Sequence, residues 1–296
     1  MPAETGLLPA AQAGTIVLGG DLTVNRMGFG AMRITGKGIW GPPEDVPGAI
    51  ATLRRAVELG VNLIDTADSY GPDVSEELIA EALWPYPAGL VIATKAGWTR
   101  HGPGVWQHNS SPPHIEQAIA GSLKRLRLDR IDVYQLHVPD PAVSFDASVE
   151  TLARLKEQGK IRHVGLSNVT LEHIKRAQKI VPIVSVQNRY SFSDREWDFV
   201  VDFCAANGIA FLPWGPMAQG RKANEVVEKI AAARQVSTAV VSLAWLLRRS
   251  PVILPIPGTG NVKHLEENVS AAAFRLSDAE FAELAAVAPK PYWLRA

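Results

Sequence analysis

The chain lacks several features, and each absence excludes a class of protein. It has a single cysteine, Cys204. No intramolecular disulfide can form, which fits a reducing compartment and sets the expectation of a cytoplasmic protein. It has no excess of charge: 30 Lys and Arg balance 30 Asp and Glu. Nothing therefore argues for a nucleic-acid partner or a membrane surface. No apolar run approaches the roughly 20 residues that span a bilayer. Residues 1–14 have neither a basic start nor a long apolar run, so they read as a flexible N-terminal tail and not as a signal peptide. No linker or low-complexity tract interrupts residues 15–296, which are expected to form one domain. The glycine-rich dinucleotide fingerprint is missing as well: in GFGAMR, Arg33 stands where its third glycine would be. His101 and His108 share one loop without carboxylate neighbours, so no metal site is expected. GLSNV lacks the second glycine of a nucleophile elbow.

What the chain does have is a core and a rhythm. Its 296 residues are 47% hydrophobic, enough for a sizeable interior. A small hairpin is expected over 15–24, with a Gly19-Gly20-Asp21 turn. A short strand over 27–32 follows it. Apolar strands are then expected over 61–64, 90–94, 131–136, 163–166, 183–186, 209–212 and 252–256. Between them run segments with helical spacing: 47–59, 75–83, 112–126, 148–158, 171–180, 194–206, 224–234 and 238–248. Helices over 262–272 and 277–287 close the pattern, and a long loop over 96–111 interrupts it. Roughly eight continuous apolar strands alternating with helices predict an α/β fold, a (β/α)8 TIM barrel, whose strands are buried on both faces. An open doubly wound sheet is the competing architecture; it would usually show fewer units and the missing fingerprint.

Barrel active sites lie where strands end. Asp65, Lys95 and His137 each fall at the end of a separate predicted strand, and Tyr70 follows Asp65 by five residues. Each has an ordinary explanation alone: Asp65 as a turn former, Lys95 as a solvated cation, His137 as a core histidine. Together at one mouth they make a specific chemistry. A free phenol is a weak acid near pH 7, and a neighbouring ammonium stabilises its anion and draws its pKa down. Asp65 can hold the ammonium, and His137 can donate to a carbonyl oxygen. Such a group suits carbonyl reduction with an external hydride donor, or enolisation.

The ordered motifs DTADSYG, VIATKAG, YQLH, GLSN, VQNRYS and IPGTGNVKHLEEN resemble those of the aldo-keto reductase family over nearly the full length. The resemblance implies a barrel closed at its bottom by the N-terminal hairpin, and NADPH bound without a Rossmann fold, with NADH as the other option. It implies Tyr70 as proton donor, supported by Asp65, Lys95 and His137, and hydride transfer to an aldehyde or ketone. It places Ser167, Asn168 and Gln187 on the nicotinamide carboxamide and Trp214 on the ring. Gly30, Ala31 and Met32 would line the cofactor by main chain, and Asp65 would touch its ribose. Gly215, Pro216, Met217 and Gln219 extend that set, as do Pro257, Gly258, Thr259, Gly260, Asn261, Lys263, His264, Glu267 and Asn268. The sequence departs from the family where many members place a Lys or Arg to clamp the 2′-phosphate. Gly258 and Gly260 occupy that region, leaving Lys263 and His264 as a weaker clamp.

Trp40, Trp98 and Trp106, in glycine-rich loops, are candidates for the walls of a substrate pocket, with Tyr292 and Trp293 closing the mouth. GFGAMR, GIWGPP and IPGT most resemble a bacterial branch that includes pyridoxal reductases, which makes pyridoxal a named candidate beside bulkier ketones. The expected partner is a small carbonyl compound, and the expected assembly a monomer or weak homo-oligomer. A cofactor-binding sensor with little activity is the rival reading; it would not need the four-residue group. A cofactor-free isomerase would lack Ser167, Asn168 and Gln187.

Overall fold

A computed structural model describes residues 7–217 and 220–287. Gln219, Tyr292 and Trp293 lie outside the described residues. The hairpin is β1 (Thr15–Leu18) and β2 (Leu22–Asn25), paired antiparallel. Then come β3 (Phe29–Gly30), α1 (Val46–Glu58), β4 (Leu63–Asp65), α2 (Val74–Leu83), β5 (Val91–Ala96), β6 (Trp98–Gly102), β7 (Val105–His108), α3 (Pro112–Leu126), β8 (Ile131–Leu136) and α4 (Phe145–Glu157). The order continues with β9 (Ile161–Ser167), α5 (Leu171–Ala177), β10 (Ile183–Gln187), α6 (Asp198–Ala206), β11 (Ala210–Phe211), α7 (Arg221–Arg234), α8 (Thr238–Arg249), α9 (Val262–Ser270) and α10 (Asp278–Ala285).

Seven strands form one parallel sheet in the order β11-β10-β9-β8-β5-β4-β3. The expected eighth strand over 252–256 is not regular, yet this segment closes the ring. On one side Phe211 N donates to Val252 O at 2.8 Å and Leu254 N to Phe211 O at 2.9 Å; on the other, Gly28 N donates to Pro255 O at 2.9 Å and Gly30 N to Pro257 O at 3.3 Å. Pro255 and Pro257 have no N–H to return, so a full ladder cannot form there.

Two cores result. Inside the ring, Leu63, Val91, Val133, Val184, Leu212 and Leu254 pack with Leu18, Leu22 and Val24 of the hairpin. The hairpin thus plugs one end of the barrel, as the resemblance implied. Outside the ring, strand residues such as Ile64, Ile92 and Leu136 pack against apolar helix positions such as Leu53, Ile79, Ile119 and Leu152. Helix starts follow their caps: Asp45 accepts from Gly48 N before α1, Thr170 caps α5, and Asn261 accepts from His264 N before α9.

Three expectations need correction. The loop over 96–111 is largely the antiparallel hairpin β6-β7. Helix α6 starts at Asp198, not near 194, because Ser191 and Asp194 exchange backbone bonds in a tight turn. The loose tail does not extend through residue 14: Pro9–Ala13 form a 3-10 helix whose Ala10 is fully buried and donates its N–H to Leu59 O. Among the described residues no single helix is long and apolar enough to cross a membrane.

Candidate functional site

Strand register brings the chemistry together. Gly30 is paired with Asp65, Asp65 with Ala93, Lys95 with Gln135, and Ser167 with Gln187. Asp65, Lys95, Gln135, Ser167 and Gln187 therefore sit near the C-terminal ends of neighbouring strands, and His137 is one residue beyond β8.

Lys95 is fully buried and donates to Asp65 Oδ2 at 2.6 Å and to Thr66 O at 2.7 Å. The other carboxylate oxygen of Asp65 accepts from Gln135 Nε2 at 3.0 Å and Gln187 Nε2 at 2.9 Å. Gln135 has room because its neighbour on β9 is Gly165, where a Cβ would come within 2.9 Å of Gln135 Cγ and 2.3 Å of Ser185 Oγ. The ammonium lies 5.2 Å from the centre of the buried Tyr70 ring. The Tyr70 and His137 rings meet edge to face at 5.7 Å. All four residues expected to form the group are thus in one buried cluster at the strand ends.

The electrostatics differ from the expectation in one respect. The Tyr70 hydroxyl is pushed above the ordinary tyrosine range, because burial disfavours the phenolate more than the Lys95 ammonium stabilises it. Lys95 is itself raised: burial opposes its charge, but Asp65 and Tyr70 together outweigh burial. His137 is held well below its ordinary value by burial and by the Lys95 charge, so its imidazole is neutral. Its Nδ1 lies 3.4 Å from Ser69 Oγ. If Ser69 donates there, the imidazole proton sits on Nε2.

The amide-bearing residues follow next along the rim. Ser167 Oγ donates to Gln187 O at 2.9 Å, and Asn168 Nδ2 donates to His137 O at 3.0 Å. Asn168 adopts a left-handed φ of 56°, which asparagine tolerates, and its Oδ1 accepts from Trp214 Nε1 at 3.1 Å. Trp214 is 40% exposed, so a large part of its indole faces outward. Beyond it, Met217, Gly258, Thr259, His264, Glu267 and Asn268 line a cleft of about 460 Å³. Gly215 and Pro216 connect Trp214 to that cleft. Pro257 O binds Gly30 N, Thr259 Oγ1 accepts from Asn261 N at 3.0 Å, and Lys263 is exposed. Ala31 and Met32 open the 3-10 turn Ala31–Ile34 after β3.

Over the mouth, Trp106 meets Tyr70 at 6.5 Å, and Trp98 meets Trp106 at 5.8 Å and His137 at 6.3 Å. Trp40 pairs by backbone with Gly71. Arg100, which sequence reading missed, fastens these loops. Its guanidinium sits 3.7 Å over Trp106 and donates to Gly38 O, Ile39 O and Ser69 O, each at 2.9 Å. Gln135 was missed too, although it lies two residues before His137 at the end of β8, the spacing that puts two side chains on one face of an extended chain. Among the described residues no group of His, Cys, Asp and Glu could hold a metal ion.

The aldo/keto reductase family profile matches residues 26–289. The chain belongs to the aldo/keto reductase family. Two curated relatives are an uncharacterized oxidoreductase of Schizosaccharomyces pombe and the pyridoxine 4-dehydrogenase of Escherichia coli. The first is 49% identical over 284 residues, 95% of this chain and 92% of the relative. The second is 43% identical over 266 residues, 88% of this chain and 93% of the relative. Among solved structures, a thermostable aldo-keto reductase crystallised with the inhibitor epalrestat superposes with a TM-score of 0.81 at 28% identity, covering 92% of this chain and 99% of that one. Its family membership makes the protein an oxidoreductase with the barrel fold described above.

Proposed function

We propose that this aldo-keto reductase uses NADPH to reduce an aromatic aldehyde to its alcohol, with pyridoxal as the named candidate, and that Tyr70 donates the proton. The observation that carries the reading is the buried Tyr70–Lys95–Asp65–His137 cluster at the strand ends. The residues beside it fit a nicotinamide dinucleotide. Ser167, Asn168 and Gln187 offer hydroxyl and amide groups suited to a carboxamide, which both donates and accepts. Trp214 offers an exposed aromatic plate. The cleft beyond carries the hydroxyl, imidazole and carboxylate side chains of Thr259, His264 and Glu267, which suit an adenosine end.

Bound there, the cofactor supplies the hydride. The chain does the rest. Neutral His137 donates a hydrogen bond to the carbonyl oxygen and aims the carbon. Tyr70, protonated at neutral pH, hands its proton to that oxygen as negative charge develops on it. The Lys95 ammonium steadies the phenolate left behind, and Asp65, held by Gln135 and Gln187, keeps Lys95 in place. Trp98 and Trp106 shield the reacting centre from water and present flat apolar walls. A planar aromatic substrate suits such walls, and the Escherichia coli relative, named for oxidation of pyridoxine, supports the vitamer.

The test is NADPH oxidation, followed by absorbance, over a panel of pyridoxal, simple aromatic aldehydes, aliphatic aldehydes and polycyclic ketones. The reading expects the highest kcat/KM with pyridoxal. Faster turnover of simple aromatic aldehydes would remove pyridoxal as the substrate, and no turnover of any carbonyl would favour a sensor.

A further inference from the structure

The turn at 258–260 borders the cleft proposed above for the adenosine end, and it holds two glycines and no cation. The structure shows what those glycines admit. The backbones of β3 and of the closing segment lie almost in contact. A Cβ on Gly30 would fall 2.5 Å from Ile256 O, and one on Gly258 would fall 2.4 Å from Gly30 O. Neither position tolerates a side chain, because the obstacle is backbone. This approach presses the 3-10 turn Ala31–Ile34 onto the turn 258–260. Arg33 Cγ lies 3.5 Å from the Cβ position of Gly258, and Arg33 O lies 3.4 Å from that of Gly260. The stem of Arg33 thus passes beside Gly258 at the border of the cleft.

Arg33 is exposed and makes no hydrogen bond or ion pair with any described residue. That sets it apart from other arginines nearby: Arg26 is spent on Leu247, Ser250 and Ile253 carbonyls, Arg55 on Glu58 and Glu266, and Arg100 on the mouth loops. The cleft that Gly258 and Thr259 border also carries the Glu267 carboxylate, which repels an anion. An anionic ligand there requires a cation. Lys263 is a compact, strongly hydrated point charge, whereas a guanidinium presents a planar fork matched to phosphate oxygens.

We infer that Arg33 is the residue that reads the 2′-phosphate of NADP(H), supplied from the turn after the first barrel strand and not from the closing turn itself. The inference rests on the nicotinamide-dinucleotide reading above and assigns a selectivity residue to it.

The experiment measures equilibrium binding by calorimetry and by quenching of tryptophan fluorescence. The ligands are NADP⁺, NAD⁺, 2′,5′-ADP and 5′-ADP; the proteins are the wild type, Arg33→Met, Arg33→Lys and Lys263→Met. Arg33→Met is expected to weaken NADP⁺ and 2′,5′-ADP about tenfold or more, the loss of a charge-assisted hydrogen bond. NAD⁺ and 5′-ADP should change little. Arg33→Lys should recover part of the loss, and the salt dependence of NADP⁺ binding should shrink in Arg33→Met. Because Arg33 is exposed, the variants should melt with the wild type. Unchanged NADP⁺ affinity in Arg33→Met, with the loss appearing in Lys263→Met, overturns the assignment. So does an equal loss for NAD⁺, which would place Arg33 on the diphosphate. Failure of the wild type to bind any of the four ligands would defeat the dinucleotide reading, and the Arg33 assignment with it.

Discussion

Tyr70 is a buried phenol whose proton is held more tightly than that of a free tyrosine, because burial outweighs the stabilising ammonium. The sign of the pH dependence follows. In the proposed mechanism carbonyl reduction uses the protonated phenol, so its kcat should be flat through neutral pH and fall only at alkaline pH, above the ordinary tyrosine range. Alcohol oxidation uses the phenolate and should rise with pH over the same span. Initial rates in both directions against pH check this; a reductive rate that falls between pH 6 and 8 would contradict it. His137 adds a stability term. Its folded pKa is lowered, so the folded state binds fewer protons than the unfolded state in acid. The stability is complete above the ordinary imidazole value of 6.5 and declines as pH falls below it toward the folded value. A His137→Gln variant should lose part of this acid slope in Tm. Lys95→Met would leave the Asp65 carboxylate buried without its cation, at a cost of about 3–5 kcal/mol, read by urea unfolding. Asp65, Lys95 and His137 were legible because each closes an apolar run. Gln135 was hidden because its partner, Asp65, is distant in sequence. Arg33 was seen only as a missing glycine, since its neighbours at 258 and 260 come from the far end of the chain.

At the scale of elements, alternation of apolar strands and helices was readable because parallel barrel strands are buried on both faces. The eighth stave departs from that pattern for a physical reason: Pro255 and Pro257 cannot donate, so an apolar run closes the ring without forming a ladder. The β6-β7 hairpin is harder to read in the sequence because none of its residues is fully buried, so it shows no core-facing alternation. Its position depends on Arg100, which ties three loops together through carbonyls and the Trp106 face. Arg100→Met should loosen the aromatic wall without touching Tyr70 or Lys95. The expected result is a rise in KM for bulky aldehydes of about tenfold, consistent with loss of charged hydrogen bonds, and a smaller change in kcat. Equal kcat/KM for wild type and variant would show that the wall stands without it.

The whole molecule separates stability from chemistry along the barrel axis. The hairpin plugs one end with Leu18, Leu22 and Val24, and the Tyr70–Lys95–Asp65–His137 cluster occupies the strand ends. Leu18→Ala should cost about 2–5 kcal/mol and lower Tm, while activity per folded molecule stays at the wild-type level. The central step of the proposed reaction is the release of the Tyr70 proton at the mouth of the ring. The most direct measurement compares wild type with Tyr70→Phe under single-turnover conditions, following NADPH absorbance with an aromatic aldehyde and NADPH affinity in parallel. The prediction is unchanged affinity with a hydride-transfer rate lower by about 10²–10⁴-fold. A variant that binds NADPH and still transfers hydride at close to the wild-type rate would contradict it.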